Sequence, residues 1–582
     1  MTFRRHINRN WARIAMAAGL AIGTVAVADA QGFGGKVPEP YTPAPDAKDL
    51  KSVLFKWEWA QGMLKGHDER DMVATLEYQG KGTIQVDGQP CTLTKYRAST
   101  NYQSFSQRIQ YTCTRSNGQE YSNIEVVSGL YAWNEDIPGA QIGPTKGTAT
   151  AMPKDVAERL IRIWASPQGA PKAAVAGTTD TFWLGANPGT LFADGTMKVE
   201  HTSLAWENGK PVVTFPIPAV PGAMATATID PVKYTTDSVV VKHGGATTEF
   251  MYSDYQDWNN PLNKIGVLYA GKMMEHHNGT MVRDLTTTVT ETGNVYVVAP
   301  VPASVKSAMQ VTGSIPKGVM AKMEPPVDTS APTPQLDGHP NLTGNWAWND
   351  WIGNYMSGGG RRRSPWQAKD SNRDTNQTED FELYSPSRFG NLGRPIYKPE
   401  YWDKVQQLDM WTNKYDPVMT CQPLGIPREG PPRRIYQTDK DITFIYYGGD
   451  AGGGYGEYRI IPTDGRPHPK NSEFDITYMG DTVGHWEGDT LVLDSVAFTD
   501  TTWFGRGGFF HSDQMHTIEK FRRQGDALYY DITVEDPSVL AEPYVYPTRV
   551  VRLNKNPNAG LVRERGNCEV YETKDVTSQI RH

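Results

Sequence analysis

Between Met515 and Val534 the residues alternate in polarity on either side of Gln524-Gly525-Asp526. Strand side chains alternate between faces and a glycine-centred turn reverses the chain, so an antiparallel hairpin satisfies this pattern. Met515, Thr517, Glu519 and Phe521 then share one face with Leu528, Tyr530, Ile532 and Val534. His516, Ile518 and Lys520 share the other with Tyr529, Asp531, Thr533 and Glu535. Turns of two or four residues preserve this split. The first face reads as core and carries one carboxylate, Glu519, which must be paired, hydrogen-bonded or protonated there. His516 falls on the polar face, as a cross-strand partner of Glu535 or Thr533.

The same arithmetic extends through the second half of the chain. Strand pairs are expected over Arg434 to Ile461, around GGDAGGGYGE, and over Ile476 to Phe498, around Glu487-Gly488. With Glu487-Gly488 as a two-residue turn, Asp481 faces Asp494 and Val483 faces Val492, which sets two like charges opposite each other. A final pass from Thr548 to Asn554 completes a meander that closes into an up-and-down barrel or half-barrel, a shape that holds small apolar ligands. In the first half, TLEYQGKGTIQVDGQPCTLTKY turns at Asp87-Gly88 and VVVKHGGATTEFMYSDY at Gly244-Gly245. VAERLIRIWA places Val156, Leu160, Ile163 and Trp164 on one helical face, and Leu54 to Leu64 is a second helical candidate. The expected class is mainly β, with a curved antiparallel sheet and one or two helices ahead of the barrel-like part.

Domain boundaries follow from composition. Residues 1–30 read as a signal peptide: Arg4, Arg5, Arg9 and Arg13, an apolar run from Ile14 to Val27, then Ala28-Asp29-Ala30. Residues 31–300 form the first β-rich domain, 301–340 a Pro/Ser/Thr-rich linker, and 341–582 the second domain. Losing four Arg and one Asp with the signal takes the formal net charge from −7 to −10. An acidic chain without a basic face disfavours nucleic acid as a partner, and none is expected; no membrane association is expected beyond the cleaved signal. The expected compartment is the periplasm or the cell exterior, where the four cysteines form disulfides; pairing within each half, Cys91 with Cys113 and Cys421 with Cys568, is the simplest connectivity.

The candidate site follows from these placements. Trp503, Phe504, Phe509 and Phe510 surround Gly505, Gly507 and Gly508, and four large aromatics in a loop are expected to cover a barrel mouth or a ligand. His511 leaves that loop, and with Glu519 it forms the candidate proton-transfer pair. Asp494 and Asp481 support it as further catalytic candidates. Arg434, Trp503, Phe509, Phe510 and His485 are candidate ligand contacts. Arg428 and Arg433 stand near two prolines as possible partners of buried acids. GxSxG, HExxH and metal-triad spacings are absent, so no metal and no cofactor are expected.

The segments CQPLGIPR, TDGRPHP, GHWEGDTLVLD and HSDQMHTIEKFRR resemble a widespread, uncharacterised family of secreted bacterial proteins with a lipocalin-like C-terminal domain, over residues 341 to 580. The first half resembles in outline the periplasmic lipoprotein-carrier fold. Neither resemblance carries a catalytic residue across. The functional expectation is a small apolar or aromatic ligand in the C-terminal barrel, with metal-free acid–base chemistry of the lyase, isomerase or hydratase type. The alternative is a non-catalytic lipid or small-ligand carrier or sensor of the cell envelope.

Overall fold

The computed structural model describes residues 43–63, 73, 75–102, 104–177, 201–257, 267–291, 295–312, 330–346, 394–446, 457–470, 475–505, 507–546, 548–555, 570 and 576. The expected signal segment and Cys568 lie outside them. The described chain is mainly β, built from antiparallel sheets with few helices.

Thirteen strands between residues 75 and 291 make one sheet. It starts at an edge with Ala149–Ala151 and passes through Tyr131–Glu135, Glu120–Ser128, Ser106–Arg115 and Gln89–Asn101 to a central Thr75–Val86. It continues through Thr280–Glu291, Lys272–His277, Ala246–Ser253, Thr236–His243, Met224–Ile229 and Lys210–Pro216 to Ser203–Glu207. Both hairpins read from the sequence form at the expected turns, with Val86 opposite Gln89 and His243 opposite Ala246. Cys91 and Cys113 form a disulfide between neighbouring strands. Cys421 is also disulfide-bonded.

Three helices cover this sheet. Helix α1 (Leu50–Ala60) is capped by Asp49, whose carboxylate accepts from Ser52 N–H, and its Trp57 donates to Thr236 and meets Phe215 edge-on. Helix α2 (Val156–Trp164) buries Leu160, Ile163 and Trp164 completely, on the face that the periodicity marks. Helix α3 (Gly169–Ala176) is buried along its whole length, which its small alanine side chains permit. A fourth helix, α4 (Ala303–Met309), lies in the stretch expected as linker: Val305 is buried against Ile124, Val126 and Trp133, with Met309 packed beside it. Four-residue spacing puts Val305 and Met309 on one helical face, and the sheet supplies the apolar surface that holds them.

The second half contains two antiparallel sheets around a common core. One holds Gly344–Asn345, Arg434–Gln437, Asp441–Ile445 and Tyr458–Pro462. The other orders Asp481–Glu487, Thr490–Val496, His516–Gln524 and Ala527–Glu535, with Tyr544–Val545 and Arg549–Arg552 both pairing the last of these. Ile435, Ile442, Phe444 and Ile461 from the first sheet share one apolar cluster with Leu491, Leu493, Phe521 and Tyr530 from the second. Phe444 meets Phe521 at 4.9 Å between ring centres.

The hairpin at residues 516–535 has the register and face split expected, with Gly525-Asp526 as its turn. The hairpin at 481–496 requires a correction. Its turn is Gly488-Asp489, so Glu487 pairs with Thr490, Val483 with Asp494 and Asp481 with Val496. Gly488 takes the first turn position at φ +59°, a conformation glycine adopts without strain. A Glu487-Gly488 turn of the primed kind would put Glu487 there instead. The slip is two residues, so face membership survives while the direct Asp481–Asp494 opposition does not.

Candidate functional site

A cavity of about 40 Å³ lies where α2 and the turn after it meet the large sheet. Its apolar wall includes Tyr78, Phe250, Tyr252, Met273 and Leu285. The C-terminal end of α2 is tied down over it, since Tyr252 Oη donates to the Ala165 carbonyl at 2.8 Å. Tyr102 Oη and Ser166 Oγ, 3.0 Å apart, fasten the next residue. Trp164 fills the space beneath, edge-on to Phe105 at 4.8 Å.

The polar side of this cavity is an ion-pair network. Arg162 donates from Nε and Nη2 to the two oxygens of Glu275 at 3.1 and 3.0 Å, and from Nη2 to Glu158 at 2.7 Å. Arg283 lies 3.3 Å from Glu275 and donates to Glu125 at 3.2 Å and to Tyr96 Oη at 3.2 Å. His277 Nε2 lies 2.7 Å from Glu275. Burial alone would push the Glu275 carboxyl up, but Arg162, His277 and Arg283 outweigh it and hold the group well below the ordinary carboxylate range. Burial pushes the phenols of Tyr78 and Tyr252 well above their ordinary value, so they line the cavity as neutral hydroxyls. Glu158, Glu275 and His277 bring three ligand atoms within 4.8 Å of one another. The Arg162 guanidinium already bridges Glu158 and Glu275, so the cation of this cluster is arginine.

In the second half, the sequence-selected residues separate into three places. Glu519 is buried on the core face, where Arg459 from the facing sheet donates to both carboxylate oxygens at 2.6 and 2.9 Å. Tyr530 donates to the same carboxylate at 2.9 Å, and Arg459 also donates to Tyr446 and Thr482. His511 is buried elsewhere: Nε2 lies 2.8 Å from Thr502 Oγ1, and Nδ1 lies 2.9 Å from the Ser512 carbonyl. A carbonyl only accepts, so Nδ1 carries the proton and Nε2 accepts from the threonine hydroxyl. Burial pushes this imidazole's pKa down, in keeping with a neutral ring. The hydrogen-bond partners of His511 and Glu519 do not overlap, and no hydrogen bond joins the two among the described residues.

Trp503, Phe504, Phe509 and Phe510 are buried in the shared core rather than arranged around a mouth. Phe510 stacks on Tyr397 at 5.0 Å and Phe504 on Phe509 at 6.0 Å, so the loop folds its rings onto one another and inward. Arg434 donates to Tyr436 at 3.3 Å, and Arg428 grips the buried Asp416 with two bonds of 2.7 and 2.6 Å.

The third place is the outer face of the larger C-terminal sheet. Asp481, His485, Asp494, His516 and Glu535 all project there, because cross-strand partners share a face. His485 is exposed, with Nε2 at 3.3 Å from Glu487. His516 Nδ1 lies 3.1 Å from Glu535, the partner expected for it, and its Nε2 lies 3.0 Å from Asp494 Oδ1. His468 arrives from the loop TDGRPHP and bridges the two aspartates, Nδ1 to Asp481 at 3.1 Å and Nε2 to Asp494 Oδ1 at 3.0 Å.

Sequence reasoning passed over Arg459, Glu275 and Arg162, and read His468 in TDGRPHP only as a turn residue. Arg459 had a signal, since it shares strand parity with the apolar Ile461 and so points toward the core. Glu275 had the same signal, two residues from Met273. The landing point of His468 had none, because a loop between two prolines fixes no face. Compared with protein-family models and with curated protein sequences, the chain matches none.

Proposed function

We propose that this protein is a cell-envelope carrier or sensor that takes up one small amphipathic ligand between α2 and the thirteen-stranded sheet. One observation supports this reading above the others: a small, partly open cavity joins an aromatic and aliphatic wall to a buried arginine–glutamate network. Such sites bind the apolar body of a ligand against the wall and orient its polar end by the network. At about 40 Å³ the cavity accommodates only a few waters, so uptake requires α2 to lift from the sheet. In this reading residues 1–30 direct export and the mature chain works in the periplasm or outside the cell. The C-terminal sheets, curled as a half-barrel, serve as its supporting body. The acid–base alternative would need His511 and Glu519 on one substrate, whereas each is fully engaged with separate neighbours.

Titration of the intact chain with a fluorescent amphiphile such as N-phenylnaphthylamine tests the reading. Met273→Trp, which fills the cavity, is expected to weaken probe binding about tenfold or more, the loss of about 1.4 kcal/mol. Circular dichroism should show the fold retained. Equal affinity in a folded Met273→Trp protein would overturn the assignment.

A further inference from the structure

We infer that residues 464–470 form a proton-operated latch, closed over the outer face of the larger C-terminal sheet when His468 and His516 each carry two ring protons. The inference is independent of the ligand cavity in the other half of the chain. It starts from a count of donors. Both nitrogens of His468 and both of His516 lie 3.0 to 3.1 Å from carboxylate oxygens. An ionised carboxylate only accepts; a neutral imidazole has one N–H to give and an imidazolium has two. Two imidazoliums therefore satisfy all four contacts, whereas two neutral rings satisfy only two.

The rings share one acceptor. Nε2 of each meets Asp494 Oδ1, while Nδ1 of His468 meets Asp481 and Nδ1 of His516 meets Glu535. The three carboxylates bring −3, which two imidazoliums reduce to −1, and no described Lys or Arg pairs with any of these five side chains. The other charged groups on this face are engaged with one another. Glu487 lies within 3.3 Å of His485 and 3.6 Å of Lys520, and Asp531 accepts from Thr548. On the loop itself Arg466 pairs with Asp464 at 2.6 Å, and Lys470 is exposed.

The two rings differ in what they hold. His516 is carried by a strand that is paired on both sides, so its position is set by the sheet. His468 is carried by a loop in which every other residue from 464 to 470 is exposed. Beside it, Gly465 N–H donates to the Gly484 carbonyl at 3.0 Å. When His468 loses a proton, one N–H remains for two carboxylates, and one of its two anchors is lost. Histidine changes charge between about pH 5 and pH 8, a range in which Asp and Glu carboxylates are mostly ionised and Lys and Arg stay protonated. The latch is therefore closed at the acidic end of that range. It opens as pH rises, baring Asp481 and Asp494.

Hydrogen–deuterium exchange of the full chain at pH 5 and pH 8, corrected for the intrinsic pH dependence of amide exchange, reads the loop in a peptide covering residues 463–470. Protection there is expected to be about three- to tenfold greater at pH 5, the range that two lost surface ion pairs allow. The strand Thr490–Val496 should show no such step, which separates the latch from a change in the whole fold. His468→Gln keeps a hydrogen-bonding group but does not titrate. With the circular dichroism of the parent retained, its loop should be equally protected at the two pH values. Equal protection of the parent loop at both pH values, greater protection at pH 8, or a step that survives in folded His468→Gln would each overturn the inference.

Discussion

Glu519 and Glu429 occupy the same half of the molecule and meet burial in different ways. Glu519 is matched oxygen for nitrogen by Arg459, and removing one partner of such a pair leaves a buried charge at a typical cost of about 3–5 kcal/mol. Glu429 has no such match: it is buried, and its Oε1 has no hydrogen-bond partner among the described residues. Burial, with added repulsion from Glu457, pushes its carboxyl up to about 8. A carboxyl whose folded pKa lies above its unfolded value holds its proton better when folded. It therefore costs stability progressively as pH rises from the unfolded value near 4.5 to about 8. Glu429→Gln removes that dependence. Chemical denaturation at pH 5 and pH 9 should show parent and variant similar at the lower pH, with the variant more stable by a few kcal/mol at the higher. Equal stability at pH 9 would contradict the assigned protonation.

Among the elements, α2 is the one on which the proposed uptake depends. Its apolar face was legible as a 3.6-residue period, and Leu160, Ile163 and Trp164 are buried as that period requires. The bond that holds its end shut was not legible, because Tyr252 lies on a strand nearly ninety residues away, separated by 87 positions. Tyr252→Phe removes that bond at a cost of about 1 kcal/mol. Stopped-flow mixing with the fluorescent amphiphile should show faster uptake by the variant with the fold unchanged. An unaltered rate would mean that α2 does not gate the cavity. Strand parity proved robust in the same sense. It survived the two-residue slip at Gly488 and correctly put His516 beside Glu535 and Glu519 in the core. Register depended on which turn position glycine occupies, a choice that local sequence states weakly. The clustering of His468 with Asp494 depended on a loop landing, which alternation does not address.

Across the described molecule, the two halves are interlocked rather than merely consecutive. Tyr296 and Val298, which follow the large sheet, are buried in the core of the C-terminal sheets. Tyr296 donates to the Pro395 carbonyl at 2.6 Å and accepts from Tyr397 N–H at 3.0 Å. Arg108, paired with Glu135, lies over the Trp402 ring at 4.5 Å at the start of helix α5 (Trp402–Met410), and Arg97 reaches Asp403 at 2.7 Å. These contacts brace the sheet on which the cavity is built, so the proposed lifting of α2 is expected to leave the C-terminal core in place. Composition and turn signals gave the β character of both halves; the contacts between them join residues roughly 100 to 300 positions apart and carry no local signature.

The most direct test of the central claim is native mass spectrometry of the full chain purified gently from its own host, followed by organic extraction. The expected result is a bound small amphipathic molecule at up to one per chain, lost on extraction and absent from Met273→Trp prepared in the same way. A parent protein that carries no such molecule and takes up none from a host lipid extract, or one whose ligand persists in Met273→Trp, would contradict it.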